Sequence, residues 1–79
     1  MAAQTVNVST IDQDVFAFEE PDGIQCQLRI LYRLGGPVYE VYRDGKILRE
    51  RQPVPDDEDL IGCIQRIARE TGGVNFRRR

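Results

Sequence analysis

The sequence contains no histidine and only two cysteines among its 79 residues. Structural and catalytic zinc sites both draw on several cysteine or histidine ligands, so a metal site is not expected. The absence of histidine also removes the commonest general base of enzymes. No glycine-rich phosphate loop and no nucleophile beside a base is visible. We therefore expect no cofactor and no enzymatic activity.

Long apolar runs are also missing from the chain. None approaches the ~18 residues that a membrane-spanning helix requires, and residues 1–8 lack the basic and apolar regions of a secretory signal. We therefore expect a cytoplasmic protein with no membrane partner. In a reducing cytoplasm, Cys26 and Cys63 are predicted to be buried as small hydrophobic side chains rather than joined by a disulfide.

An alternation of apolar and polar side chains over residues 24–34 is the clearest pattern that the sequence does contain. The apolar parity consists of Ile24, Cys26, Leu28, Ile30, Tyr32 and Leu34, and Leu31 is the exception. A period of two predicts a long β-strand with one face buried.

Turn signals connect this strand to its neighbours. The Pro-Asp-Gly at 21–23 predicts a hairpin that sets Phe18 opposite Cys26 and Phe16 opposite Leu28, which places both phenylalanines on the apolar face. The Gly-Gly-Pro at 35–37 leads into a third strand over residues 38–43, with Tyr39 and Val41 on the same face. The Asp-Gly at 44–45 predicts a type I′ hairpin into a fourth strand. The expected pairs there are Val41 with Leu48, Tyr42 with Ile47, and Glu40 with Arg49.

One helix is predicted after the prolines at positions 53 and 55. Asp56 or Asp57 is the expected N-cap, and Gly72 is the expected left-handed C-terminal cap. The stripe that should face the sheet is Leu60, Ile64, Ile67 and Ala68. Residues 74–76 are expected to return as a short strand or to pack across the helix end, and residues 77–79 to form a basic tail.

The fold class that follows is a single α+β domain covering residues 1–79, in which a four-stranded antiparallel meander packs on one C-terminal helix and ends in a short C-terminal return. A chain of this length buries little surface, so dimerisation would be unsurprising. Residues 1–12 are expected to be a flexible segment or to contribute an extra N-terminal edge strand over residues 5–9. We recognise no family in the sequence.

Charge is distributed unevenly, although the net charge is only −2. Residues 1–22 carry five acidic and no basic side chains, residues 56–59 are all acidic, and residues 77–79 are all arginine. The acids at 56–59 are typical of a helix N-terminus, where they interact favourably with the helix dipole. Such segregation of charge affects the attraction of partners more than it affects folding.

The sheet face opposite the helix is the candidate binding surface. Its parity combines apolar and aromatic side chains with arginines, a composition typical of interaction hot spots. The candidate binding residues are Arg29, Leu31, Arg33, Tyr42, Ile47, Arg49 and Arg51. The expected function is a small non-enzymatic binding module that recognises a protein partner or a second copy of itself through this face.

Two alternatives remain open. The sheet arginines, together with Arg77, Arg78 and Arg79, could bind nucleic acid, with Tyr42 as a stacking platform. The compact, acidic build would also suit an inhibitor from a phage or mobile element that blocks a host nucleic-acid-binding protein. Salt-dependent binding that requires the terminal arginines would favour nucleic acid over a protein partner.

Overall fold

The computed structural model describes residues 12–79, which form one five-stranded antiparallel sheet and one helix. The strands are β1 (Asp12–Glu19), β2 (Gln25–Tyr32), β3 (Val38–Arg43), β4 (Lys46–Pro53) and β5 (Val74–Arg78), and the helix is α1 (Leu60–Thr71). The spatial order of the strands is β4-β3-β2-β1-β5. The predicted α+β fold with a four-stranded meander is therefore confirmed. The candidate edge strand at 5–9 lies outside the described residues.

Strands β1 and β2 pair in the predicted register, with Phe18 opposite Cys26 and Phe16 opposite Leu28. Strand β2 is shorter than the alternation suggests, because it ends at Tyr32 and the chain turns at once. Gly36 donates its backbone N–H to the Arg33 carbonyl in this turn, and Leu34 is 98% exposed. The prediction that Leu34 joins the buried face was therefore wrong.

The turn between β3 and β4 is the predicted type I′ hairpin. Asp44 has φ of 54° and Gly45 has φ of 77°, the two left-handed residues that this turn requires. Tyr42 pairs with Ile47 as predicted. Two irregularities then shift the register, so that Val41 lies opposite Arg49. The predicted pairs of Val41 with Leu48 and of Glu40 with Arg49 were therefore wrong, since an extra residue in β4 turns Arg49 to the other face.

Helix α1 begins later than predicted. Its N-cap is Asp59, which has an extended backbone and whose side-chain Oδ1 accepts the Gly62 N–H at 2.8 Å. The prediction of Asp56 or Asp57 was wrong, because the preceding residues form a turn in which Glu58 donates its N–H to the Pro55 carbonyl. At the other end, Gly72 is the predicted left-handed cap, with φ of 74° and its N–H bonded to the Ala68 carbonyl.

The core lies between one face of the sheet and α1. Cys63 and Ile67 are the fully buried residues of the helix, and Leu60 and Ile64 pack against the same cluster. Both cysteines are free and buried. The sheet contributes Phe16, Phe18, Cys26, Leu28, Ile30, Tyr39 and Val41. We call this the helix-side face, and the opposite face the outer face.

Residues 74–78 form β5, which pairs antiparallel with the free edge of β1. The aromatic ring of Phe76 stacks on that of Phe18, with centroids 4.4 Å apart. Arg77 lies opposite Ala17, and the Arg79 N–H donates to the Val15 carbonyl at 2.8 Å. The expected basic tail is therefore held along the sheet by backbone pairing. This pairing positions the terminal arginines relative to both faces.

Candidate binding site on the outer face

The outer face is built from rows of cross-strand neighbours, because side chains alternate between the two sides of each strand. One row runs across the whole sheet through Arg77, Ala17, Gln27, Tyr42 and Ile47. The adjacent row contains Val15, Arg29 and Glu40. Residues that are far apart in the chain, such as Tyr42 and Arg77, therefore share one surface.

A concave depression of about 620 Å³ lies on this face. Ala17 forms part of its floor, and the small alanine side chain leaves room between the larger residues around it. Three arginines line the depression against a single acidic residue, Asp44. The full lining is Ala17, Gln25, Cys26, Gln27, Arg29, Tyr42, Asp44, Gly45, Arg77 and Arg79. We call it the arginine depression.

Arg29 lies at the centre of the sheet, with its guanidinium carbon 4.6 Å from the centroid of the Tyr42 ring. This is a cation–π contact. Glu40, the cross-strand neighbour of Arg29, instead accepts a hydrogen bond from the Tyr42 hydroxyl at 3.1 Å and forms an ion pair with Arg51 at 3.2 Å. Within residues 12–79, the buried Nε of Arg29 has no hydrogen-bond partner. Arg29 also forms no ion pair in this part of the chain, so its charge is not neutralised among the described residues.

Arg77, on the edge strand β5, and Arg79, directly after that strand, both line the depression. The Arg77 side chain is more than half exposed and makes a long ion pair with Glu19 at 3.5 Å. Across the part of the chain that the structure describes, Arg79 forms no ion pair. The depression therefore presents concentrated positive charge on a protein whose net charge is negative. Such a concavity attracts anions.

Four other predicted site residues, Leu31, Arg33, Ile47 and Arg51, do not line the arginine depression. Leu31 belongs to the outer parity but is only 8% exposed, so it does not present the apolar surface that we expected. Arg33 lies in the exposed turn after β2 and does not line the depression. Ile47 is 47% exposed at the β4 end of the Tyr42 row. Arg51 remains near this face through its ion pair with Glu40.

Arg49 and Arg78 both lie on the helix-side face. The prediction that Arg49 belongs to the outer face was therefore wrong, whereas the nucleic-acid contact expected of Arg78 stays a prediction. The irregular register of β4 brings Arg49 to Glu70 of α1, with which it forms an ion pair. Arg78 pairs with Asp14 and lies over the ring of Phe16 at 5.0 Å. Neither residue contributes to the arginine depression.

The helix-side face also has an arginine over a tyrosine. The guanidinium of Arg66 lies 5.1 Å from the centroid of the Tyr39 ring and donates to the Tyr39 hydroxyl at 3.2 Å. Two further hydrogen bonds, at 2.8 and 2.9 Å, join it to Glu58. These bonds lower the pKa of Glu58, and the hydrogen bond from Arg49 lowers the pKa of Glu70. Charges on this side are therefore neutralised within the fold.

The acids at 56–59 are partly accounted for by this framework. Asp59 caps the helix and Glu58 binds Arg66. Among residues 12–79 there is no cluster of three or more side chains suited to hold a metal ion. Burial raises the pKa of the Cys63 thiol to about 11, so this thiol is protonated at neutral pH and is a poor nucleophile.

A smaller cavity of about 210 Å³ lies between the helix N-terminus and the sheet. Cys63, Leu60 and Ile30 give it apolar walls, and Tyr32 lies at its side. The Tyr32 hydroxyl donates to Asp14 at 2.6 Å, and burial together with this bond raises the pKa of Tyr32 to about 12. The cavity thus has few polar groups free to orient a ligand, in contrast to the arginine depression.

Sequence reasoning missed how the depression is assembled. Alternation alone places Ala17, Gln25 and Gln27 on the outer parity, yet none of them was a candidate binding residue. The position of Arg77 and Arg79 depends on the pairing of β5 with β1, which joins segments about 60 residues apart in the chain. A short five-residue strand gives a weak local signal.

Comparison of the chain with models of known protein families, with curated proteins and with solved structures gave no significant match. In residues 12–79, the single helix is too short and too polar to cross a membrane. The functional assignment therefore rests on the geometry of the outer face.

Proposed function

We propose that this protein is a small non-enzymatic binding module that holds an anionic macromolecule in the arginine depression. The observation that carries the proposal is the convergence of Arg29, Arg77 and Arg79 on one concavity that contains a single acidic residue. Charge that the fold does not neutralise is available to a partner, and clustered arginines are suited to phosphate and carboxylate groups.

The positive charge of the depression also favours an anionic partner over a second copy of this chain. In a two-fold dimer through this face, each copy would present the same patch to the other. The arginines of the two depressions would then lie close together, and like charges would oppose the contact. An anionic partner meets no such penalty. We retain a cytoplasmic location, without a membrane partner or a cofactor, as part of the proposal.

Retention on immobilised heparin tests this function, because heparin is a dense polyanion that makes no assumption about the natural partner. We expect the protein to be retained despite its net charge of −2. The double variant Arg77→Gln/Arg79→Gln should elute at distinctly lower salt.

The matched control is Arg33→Gln/Arg69→Gln. It removes the same charge from two exposed arginines that do not line the depression, and it should elute close to the wild-type protein. Failure of the wild type to bind heparin, or equal shifts for the two double variants, would overturn the proposal.

A further inference from the structure

We infer that the anionic macromolecule is a single-stranded nucleic acid, an inference that rests on the binding function proposed above. Nucleic acid and acidic protein segments both supply negative charge. They differ in what else they offer, because a single strand also has flat bases that stack, and base edges that donate and accept hydrogen bonds. The lining of the depression matches both of these additional features.

Stacking surfaces are supplied by Arg29 and Tyr42. Their contact at 4.6 Å places a guanidinium and a ring in one cluster at the centre of the sheet. Single-strand-binding sheets use aromatic rings and arginine planes to stack successive bases. Tyr42 is the one tyrosine on the outer face, since Tyr32 and Tyr39 belong to the helix-side parity. The guanidinium of Arg29 therefore acts as the second stacking element.

Hydrogen-bonding groups come from Gln25 and Gln27, which lie on the same parity of β2 and line the depression beside Arg29. Each side-chain amide has both a donor and an acceptor, as base edges do. An acidic peptide would use the arginines, but its carboxylates would leave the donor and acceptor pattern of the amides and the ring surface unused.

Phosphates have a separate binding edge on β5. Arg77 lies on this strand, Arg79 directly follows it, and both line the depression. Arginine forms bidentate hydrogen bonds with phosphate oxygens, so a backbone along β5 would direct its bases toward Arg29 and Tyr42. A duplex keeps its bases stacked inside, so the stacking surfaces give it no comparable advantage. We therefore expect preference for single strands.

The test is fluorescence anisotropy with labelled oligothymidylate and oligouridylate of about 12 nucleotides, a length within the ~4–16-nucleotide sites of single-strand-binding domains. A DNA duplex of the same length is measured in parallel. Each phosphate neutralised on a single strand contributes about −0.7 to the slope of log affinity against log salt, so the two phosphate-binding arginines, Arg77 and Arg79, predict a slope of about −1.4. The Arg77→Gln/Arg79→Gln variant should reduce this slope to about zero.

Tyr42→Leu separates stacking from charge, because it changes no charged group. We expect it to weaken single-strand binding about 5- to 100-fold with an unchanged salt slope. The matched control is Tyr32→Leu on the helix-side face, which should bind as the wild type does. Circular dichroism establishes that both variants are folded.

The outcomes distinguish this inference from the broader function. Retention on heparin without binding to either oligonucleotide would overturn the nucleic-acid inference and leave an acidic protein segment as the partner. Equal affinity for the duplex, or an unchanged affinity of Tyr42→Leu, would overturn the preference for single strands. Absence of binding to heparin and to oligonucleotides would overturn both proposals.

Discussion

Each face of the sheet carries an arginine over a tyrosine ring, and the two pairs differ in how their charge is satisfied. On the helix-side face, Arg66 lies over Tyr39 and is bound by Glu58 and by the Tyr39 hydroxyl. On the outer face, Arg29 lies over Tyr42, while the Nε of Arg29 has no partner within residues 12–79. The same arginine–tyrosine contact is thus tied into the fold by an ion pair on the helix side, whereas on the outer face its arginine forms no ion pair among the described residues.

The contrast shows where stability and binding are separated in a small protein. Burial of hydrophobic side chains and closed ion pairs occur between the sheet and α1. The outer face contributes little to that core, so its residues can be chosen for recognition. Functional sites are the places where local interactions are left unsatisfied by the fold itself. The predictions below test this separation.

The largest effect is expected for Phe18→Ala on the helix-side face. Phe18 is fully buried and stacks on Phe76, and truncation of a buried phenylalanine costs about 3–5 kcal/mol. A domain of this size is expected near the low end of the usual range of about 5–15 kcal/mol, so the substitution should remove a large part of its free energy of unfolding. Urea denaturation followed by far-UV circular dichroism measures the loss.

Ile47→Ala is the control for Phe18→Ala, because Ile47 is an exposed apolar residue of the outer face. Its loss should change the free energy of unfolding by less than about 1 kcal/mol. Similar losses for the two variants would contradict the division of labour between the faces.

Much of this division could be predicted from the sequence. The alternation over residues 24–34 and the turn at 21–23 correctly identified the buried parity of β1 and β2, because period and loop length both constrain register. The register shift between the pairs Tyr42–Ile47 and Val41–Arg49 left no such signal in the sequence. Its effect, the transfer of Arg49 to Glu70, depends on a tertiary ion pair that local propensities do not contain.

The candidate site was predicted less completely than the fold. Arg29 and Tyr42 follow from parity within adjacent strands, and the structure brings both to the depression. Arg77 and Arg79 reach the same place only through the pairing of β5 with β1, a contact between the two ends of the described chain. Long-range pairings of short strands leave little trace in composition or period.

A smaller effect on stability is expected at low pH, where the glutamates that form ion pairs on the helix-side face become protonated. Hydrogen bonds from Arg66 and Arg49 lower the pKa values of Glu58 and Glu70 in the folded protein. Stability from these carboxylates is therefore fully present above the unfolded glutamate pKa of about 4.3 and is lost as the pH falls through the lower folded values. The free energy of unfolding should fall as the pH decreases below about 5.

Glu58→Gln should remove part of the pH dependence of stability. It should also lower the free energy of unfolding at neutral pH by about 1 kcal/mol, since the pair with Arg66 is partly exposed. Urea titrations over a series of pH values measure both effects. Glu50→Gln is the control, because Glu50 is exposed on β4 and forms no ion pair among the described residues. A Glu58→Gln variant with the full acid dependence of the wild type would show that the Arg66 pair does not stabilise the fold.

The smallest effect on stability is expected for Arg29→Met. This variant alters the outer-face pair of Arg29 and Tyr42, in which the arginine forms no ion pair among the described residues. Methionine replaces the apolar stem of arginine and removes a buried Nε that has no partner within residues 12–79. Since an unpaired buried donor is itself unfavourable, the loss of the cation–π contact is offset. The free energy of unfolding should therefore change by less than about 0.5 kcal/mol.

Arg66→Met is the matched comparison, because Arg66 also lies over a tyrosine ring but forms an ion pair with Glu58. It leaves Glu58 without its cation and the Tyr39 hydroxyl without its donor, so the loss in urea denaturation should exceed that of Arg29→Met. If Arg29→Met were as destabilising as Arg66→Met, the charge of Arg29 would be serving the fold. The outer face would then lose its central binding residue, because an arginine that the folded chain already requires is not available to a partner.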